Sequence, residues 1–268
     1  MKRSPLISVV IPAFNQAQFI DACLDSVAAQ TISQSLEIIV VDDGSLDDIS
    51  RRARQHAVSP TVIRQQNTGV AGARNRGIAE SSAPWIAFLD ADDRWTPTKL
   101  QDQLHALAPL NRPALAFSRY RRTGPDGPVP RQPDHPSPIL RPRARKLLLQ
   151  NFIGTSTVLV HRRCLERCGG FPETKALNTG GQDYALWLRI AAYFPLVYIP
   201  KIAMHYRVHP NNRVGVDSRR HHQAGLQALR DFHDWDPHRF RGICPLPLAL
   251  LSSLRSTGFL SRSLTAYR

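Results

Sequence analysis

One stretch constrains the fold more than any other. Trp85-Ile-Ala-Phe-Leu89 is an unbroken apolar run, and Asp90, Asp92 and Asp93 come directly after it within four residues. A run this short and this apolar has the pattern of a strand buried on both faces of a sheet. Three carboxylates at its carboxyl end repel one another unless a positive group sits among them. A hard divalent cation, Mg²⁺ or Mn²⁺, is the usual answer, and such an ion commonly also binds phosphate. The alternative is a solvated turn in which one Asp caps a helix starting near Pro97. The Asp-x-Asp-Asp spacing directly after a buried strand favours the metal.

The preceding chain repeats the pattern of strand and then polar turn. Leu6 to Ile11 is a β-branched run that ends at Pro12-Ala-Phe-Asn15. Phe19, Ile20, Leu24, Val27 and Ala28 fall at helical spacing within Gln18 to Gln30. Leu36 to Val41 is a second strand, running into Asp42-Asp-Gly-Ser-Leu-Asp47, and Asp47 is placed to cap a helix from Ser50 to His56. Val62-Ile63 marks a short third strand. This alternation predicts a doubly wound α/β sheet, whose ligand crevice lies beyond the carboxyl ends of the strands. Asn67 to Gly77 is rich in small residues, then basic. Its helix start, with Arg74 and Arg76, suits phosphate, although it carries neither the dinucleotide nor the P-loop glycine pattern.

Beyond the carboxylates the spacing predicts a helix over Pro97 to Leu107 and a short strand over Ala114 to Phe117. Residues 124–142 are proline-dense and form no regular element, so they read as a long loop, either a lid or an inert excursion. Next come a helix over Lys146 to Phe152, a strand over Thr155 to Val160 and a helix over Arg162 to Cys168. Asn178-Thr-Gly-Gly-Gln-Asp183 leads into a strong helix from Tyr184 to Tyr193. That places Asp183 in its first turn, as a cap or as a general base. Leu196 to Ile199 and Met204 to His209 read as two further strands. His205, Arg207 and His209 alternate onto one face of the second, a set suited to a pyrophosphate or its metal. Asp217 to Trp235 is a polar, basic helix, and 244–268 is a basic, proline-broken tail.

The chain has 268 residues and a formal net charge of +14. Such an excess implies an anionic partner: nucleotide phosphates, an anionic membrane surface or nucleic acid. Cys23, Cys164, Cys168 and Cys244 complete no zinc pattern and read as reduced core thiols, which fits a cytoplasmic protein. The N-terminal apolar run breaks at Pro12 and reads as a strand, not a signal peptide, and no run is long enough to span a bilayer.

Five motifs occur in order: Ser8-Val-Val-Ile-Pro-Ala-Phe-Asn15, Val41-Asp-Asp-Gly-Ser45, Gly69 through Asn75, Leu89-Asp-Ala-Asp-Asp93, and Gly181-Gln-Asp183 before Leu186-Trp-Leu-Arg189. Together they resemble the family 2 glycosyltransferases, inverting enzymes of the GT-A fold that use nucleotide-diphosphate sugars. The resemblance runs from about Leu6 to His209. It implies a mixed central sheet flanked by helices, with a nucleotide-sugar half (1–110), an acceptor and catalytic half (111–212) and a basic helical tail (213–268). It implies donor contacts at Pro12, Ala13, Asn15, Asp42, Asp43, Arg74, Asp90 and His209. Asp92, with Asp90, would hold Mg²⁺ or Mn²⁺, and Asp183 would be the catalytic base. Gln182 stands where the family commonly has Glu. The implied partners are a nucleotide-diphospho-sugar, UDP-linked by preference, and a glycan or lipid-linked acceptor in cell-surface polysaccharide synthesis. No nucleic acid is expected, and the charge would serve either docking at the inner face of the cell membrane or an acidic glycan. Two rival readings are a GT-A-like nucleotidyltransferase, which would need a Gly-rich basic loop after the first strand, and a basic polyanion-binding protein with a degenerate core.

Overall fold

The structure is a computed structural model describing residues 4–124, 127–128, 144–177, 180–209 and 218–243. The apolar runs become the centre of one mixed sheet. The first four strands in sheet order are β3 (Thr61–Arg64), β2 (Leu36–Asp42), β1 (Ile7–Ala13) and β4 (Trp85–Phe88), all parallel. The sheet continues through β8 (Leu159–His161), β6 (Leu115–Gly124), β9 (Leu196–Arg207) and β5 (Arg94–Trp95), and β7 (Gly127–Pro128) pairs with β6. The pairs β4–β8, β8–β6 and β9–β5 are antiparallel, while β6–β9 is parallel. Residue 110 ends a 3₁₀ turn, Ala108–Leu110, and the chain on both sides of it contributes strands to this sheet.

Helices α1 (Ala17–Ala28), α2 (Ile49–Gln55) and α3 (Val70–Glu80) serve the parallel half, and α4 (Lys99–Leu107) packs on β9 and β6. Helices α5 (Ala144–Leu149), α6 (Arg162–Cys168), α7 (Gln182–Tyr193), α8 (Ser218–Trp235) and α9 (Pro237–Ile243) come later in the chain. Every residue of β1 is buried. One core, with Ile11, Leu24 and Leu100, packs α1 and α4 on one face of the sheet. The other, with Phe88, Phe171, Trp187 and Phe232, packs α7 and α8 on the opposite face.

Four local expectations are corrected. The segment expected as a strand over Thr155 to Val160 opens as a 3₁₀ turn, Thr155–Thr157, and only Leu159–His161 joins the sheet. Its hydroxyl side chains bond carboxylates and carbonyls, and a flat strand would not aim them there. The two strands expected over 196–199 and 204–209 are one strand, β9, with register shifts opposite Ser118 to Tyr120. Pro200 donates no hydrogen bond, and the irregularity absorbs it. The short strand expected at Ala114 to Phe117 runs on to Gly124. Asp47 does more for α1 than for α2: its Oδ2 accepts from Ala17 N at 2.8 Å, its Oδ1 from Ile49 N at 3.3 Å. It thus caps the start of a helix thirty residues earlier in the chain. The lid expected over 124–142 (apart from Gly124 and residues 127–128), Asn178-Thr179, Asp217 and the tail 244–268 lie outside the described residues.

Candidate active site

The carboxyl ends of β1, β2 and β4 lie side by side, as the parallel registers require. Pro12 and Ala13 end β1 buried, and Ala13 O accepts from Asp43 N at 2.9 Å. Asn15 adopts a left-handed backbone, φ 52°, a conformation that Asn tolerates better than most residues. Its Oδ1 accepts from Leu46 N at 2.8 Å, and its N donates to Ser45 Oγ at 3.0 Å. The turns after β1 and β2 are therefore stitched together.

Asp42 and Asp43 divide their work. Asp42 is fully buried and accepts from Ser45 N, Ser50 Oγ and Arg64 Nη1. Burial alone would raise its pKa, but the Ser50 and Ser45 hydrogen bonds and the Arg64 charge bring it below the ordinary carboxylate value. Asp42 is thus a loop staple, with no surface left for a ligand. Asp43 accepts from Gln65 Nε2 (2.8 Å), Thr68 N (2.9 Å) and Gly69 N (2.8 Å), which ties β2 to the approach to α3. Two N–H groups ahead of that helix, expected to be free for phosphate, are taken by this carboxylate. Arg76, expected to face phosphate, pairs instead with Glu80 one helical turn on.

Arg74 is buried and points the other way. Its Nη2 donates to Asp90 Oδ1 at 2.6 Å, and its guanidinium lies 5.2 Å from the Phe171 ring centroid. Asp92 faces the end of β9 and His209 just beyond it. Its Oδ2 is 3.0 Å from His209 Nε2, and Arg207 Nε donates to its carbonyl oxygen at 2.9 Å. The Phe19 ring from α1 packs on both partners, 4.7 Å from the His209 ring and 4.9 Å from the Arg207 guanidinium. Burial, then the charge of Asp90, raises the pKa of Asp92. Asp93 is buried, and burial with its two carboxylate neighbours raises its pKa well above the ordinary value. Its partners are Ser156 Oγ at 2.7 Å and Arg207 N at 3.2 Å. His205 does not join this set: it contacts Thr123 and sits in register between Arg94 and Arg121.

Asp183, from the first turn of α7, reaches the same place. Its Oδ2 accepts from Thr155 Oγ1 at 3.1 Å, and the next residue, Ser156, holds Asp93 and accepts from Asp90 N at 3.1 Å. Tyr120 and Tyr206 lie side by side, 5.9 Å between ring centroids, Tyr120 against Gly154 at the entry to the same turn, and burial raises the pKa of both phenols. Thr155, Ser156 and Tyr120 are participants that sequence reasoning missed, whereas Arg207 was expected at a pyrophosphate or its metal and lies beside Asp92 and Asp93. The run of three hydroxyl residues after Gly154 was the available signal for the first two.

The donor set suits a divalent ion in part. Asp92 offers a carboxylate beside the imidazole of His209, a mixed oxygen and nitrogen pair that favours Mn²⁺ over Mg²⁺. Asp90 has one oxygen committed to Arg74. Among the described residues no group of three His, Cys, Asp or Glu side chains forms a ready-made metal cluster. An ion would thus find two protein ligands and would need further oxygens from a ligand such as a diphosphate. That is the usual arrangement for metal–nucleotide sites.

The model of glycosyl transferase family 2 matches residues 8–167, which span β1 to α6 and include every one of these carboxylates except Asp183. The chain belongs to that family. A glycosyltransferase of Rickettsia prowazekii is 27% identical over 217 residues, 77% of this chain and 65% of its own length. The chain thus spans less than two thirds of that relative. TuaG of Bacillus subtilis, named for teichuronic acid biosynthesis, is 30% identical over 191 residues, 69% of this chain and 72% of that protein. Among solved structures, S. aureus TarS residues 1–349 in complex with UDP-GlcNAc gives a TM-score of 0.67 at 17% identity, covering 95% of this chain and 73% of that one. The mannosyltransferase PcManGT of Pyrobaculum calidifontis, in complex with GDP-Man and Mn²⁺, gives 0.65 at 20% identity, covering 99% and 76%. The mixed sheet with flanking helices is the GT-A architecture of these enzymes.

Proposed function

We propose that this chain is an inverting glycosyltransferase. It moves a sugar from a nucleotide-diphosphate donor, UDP-linked by preference, to a hydroxyl of a glycan or lipid-linked acceptor in cell-surface polysaccharide synthesis. The observation that carries the reading is the meeting of Asp183 with the Asp90–Asp93 cluster across two consecutive hydroxyls, Thr155 and Ser156. That is the geometry for a base on one side of a sugar and a leaving-group site on the other.

Residues 1–110 would take the donor. The turn at Pro12 to Asn15 and Asp43 border its base, Arg74 and Asp90 its ribose and phosphates, and Asp42 holds their loop in shape. Asp92, His209 and, less directly, Asp90 would hold Mn²⁺ or Mg²⁺. When bound, such an ion would neutralise charge on the departing diphosphate. Arg207 adds a cation at the same position. In residues 111–212, Asp183 accepts the proton of the acceptor hydroxyl. The new C–O bond then forms at the anomeric carbon opposite the breaking bond to phosphate, and the electron pair leaves with the nucleoside diphosphate. One such displacement inverts the anomeric configuration.

No helix of the described residues is long and apolar enough to cross a membrane. The formal charge of +14 favours a cytoplasmic protein whose basic tail, 213–268, docks at the inner face of the membrane. The deciding experiment is a thermal-shift panel of UDP-, GDP- and dTDP-sugars with and without Mn²⁺. A metal-dependent stabilisation by one nucleotide series is expected. No stabilisation by any of them, together with salt-sensitive binding of polyanions, would replace the transferase reading with that of a polyanion-binding protein.

A further inference from the structure

We propose that the Thr155–Thr157 turn is a spacer that fixes the base against the leaving-group site, and that Thr155 is the positioning residue for Asp183. The proposal rests on the reading of Asp183 as the base. Thr155 Oγ1 donates to Asp183 Oδ2 at 3.1 Å, while Ser156 Oγ donates to Asp93 Oδ2 and accepts from Asp90 N. Neighbouring hydroxyls on one turn therefore set both halves of the crevice.

The turn itself is held from behind. Three consecutive carbonyls each receive one side-chain donor: Ser156 O from Trp95 Nε1 at 2.7 Å, Thr157 O from Gln103 Nε2 at 2.7 Å, and Val158 O from Lys99 Nζ at 3.0 Å. These donors are spaced four residues apart, so Lys99 and Gln103 share one face of α4 and Trp95 precedes it. Lys99 is buried, 4.0 Å from the Trp95 ring centroid, and burial holds its pKa well below the ordinary value. Burying an amine is costly; bonding a carbonyl of this turn offsets part of that cost. On the crevice side, a Cβ at Gly154 would lie 3.2 Å from the Tyr120 ring, so the entry to the turn is also closely fitted. A turn held this way cannot yield when substrates bind. It keeps Asp183 at one distance from the acidic cluster, and the Thr155 hydroxyl fixes which oxygen lone pairs face the acceptor.

The full-length chain, with the donor found in the thermal-shift panel and Mn²⁺, allows the test by release of nucleoside diphosphate. Thr155→Val removes the hydroxyl at nearly constant shape, and Thr155→Ala serves if the first variant does not fold. A misplaced base should lower kcat about tenfold, with the donor KM within about twofold. Thr155→Ser, which keeps the hydroxyl that bonds Asp183, should restore kcat. An unchanged kcat in Thr155→Val, or a Thr155→Ser variant as impaired as the valine, overturns the positioning role. Failure of the parent to release any nucleoside diphosphate overturns the transferase reading, and this proposal with it.

Discussion

At the scale of single residues, the carboxylates are distinguished by what surrounds each of them. Asp93 is buried beside Asp92 and Asp90, and its pKa is raised for that reason. Between the ordinary carboxylate value and the raised one, the folded protein keeps a proton that the unfolded chain releases. Stability is therefore lost as pH rises through that window. Asp93→Asn should remove the loss: in chelator its melting temperature should exceed that of the parent, by more at pH 8 than at pH 5. An advantage that does not grow with pH would mean that the three carboxylates do not repel one another. Asp183→Asn should cut turnover by about 10²–10⁴-fold, the usual contribution of a general base, while donor-induced thermal stabilisation persists. A near-parental rate would remove Asp183 from the chemistry. Asp92→Ala should instead abolish the Mn²⁺ dependence of nucleotide binding in calorimetry; an unchanged affinity would assign the ion elsewhere.

At the scale of elements, close approach governs how α3 sits on β1. A Cβ added to Gly77 would come within 2.3 Å of Val10 Cγ1. Alanine is the better helix former by about 0.8–1 kcal/mol, yet Gly77→Ala should destabilise by about 1–3 kcal/mol, because overpacking a filled core costs more than propensity returns. Urea unfolding measures this, and adding Val10→Ala should recover part of the loss. A stabilised Gly77→Ala would show that α3 can move off the sheet freely. Helix α3 also presents Arg74 to Asp90 and anchors the 170–173 segment. There Asn75 Nδ2 donates to Phe171 O at 2.8 Å and Asn75 Oδ1 accepts from Phe171 N at 2.9 Å.

At the scale of the whole molecule, α8 is locked to α7 by a buried ion pair. Arg189 of α7 donates to Asp231 of α8 at 2.6 Å, with side chains only 9% and 11% exposed, and Trp235 stacks on the guanidinium. Removing one partner of such a pair typically costs about 3–5 kcal/mol, because the other is left charged and buried. Asp231→Ala should therefore lower stability by about that amount, with Arg189→Met/Asp231→Leu recovering most of it. If the single variant is neutral, α8 is not tied to α7 in this way. The positive charge belongs to this scale too. Binding to anionic vesicles should fall steeply with salt and with deletion of 244–268, and binding unaffected by either would exclude docking through the tail.

The sequence alone determined the parallel half and the location of its crevice. Strands β1, β2 and β4 are written in local apolar runs and helix α1 in apolar periodicity, and polar residues collect where each strand ends. Asp42, Asp43, Asp90, Asp92 and Asp183 were all legible as candidates because a carboxylate beside a buried strand or in a helix's first turn stands out against its neighbours. What each one does was decided by contacts between residues far apart in the chain. Asp42 is a staple because Ser50 and Arg64 fold back onto it, and Asp47 caps α1 across thirty residues. Asp92 meets His209 only because β9 pairs with β5, directly after the carboxylates. The Thr155–Thr157 segment has the composition of a strand and becomes a turn, because Trp95, Lys99 and Gln103 take carbonyls in and beside it, and Asp93 and Asp183 take two of its hydroxyls. Local pattern carries no information about such partners; they exist only once the sheet has closed and buried them together.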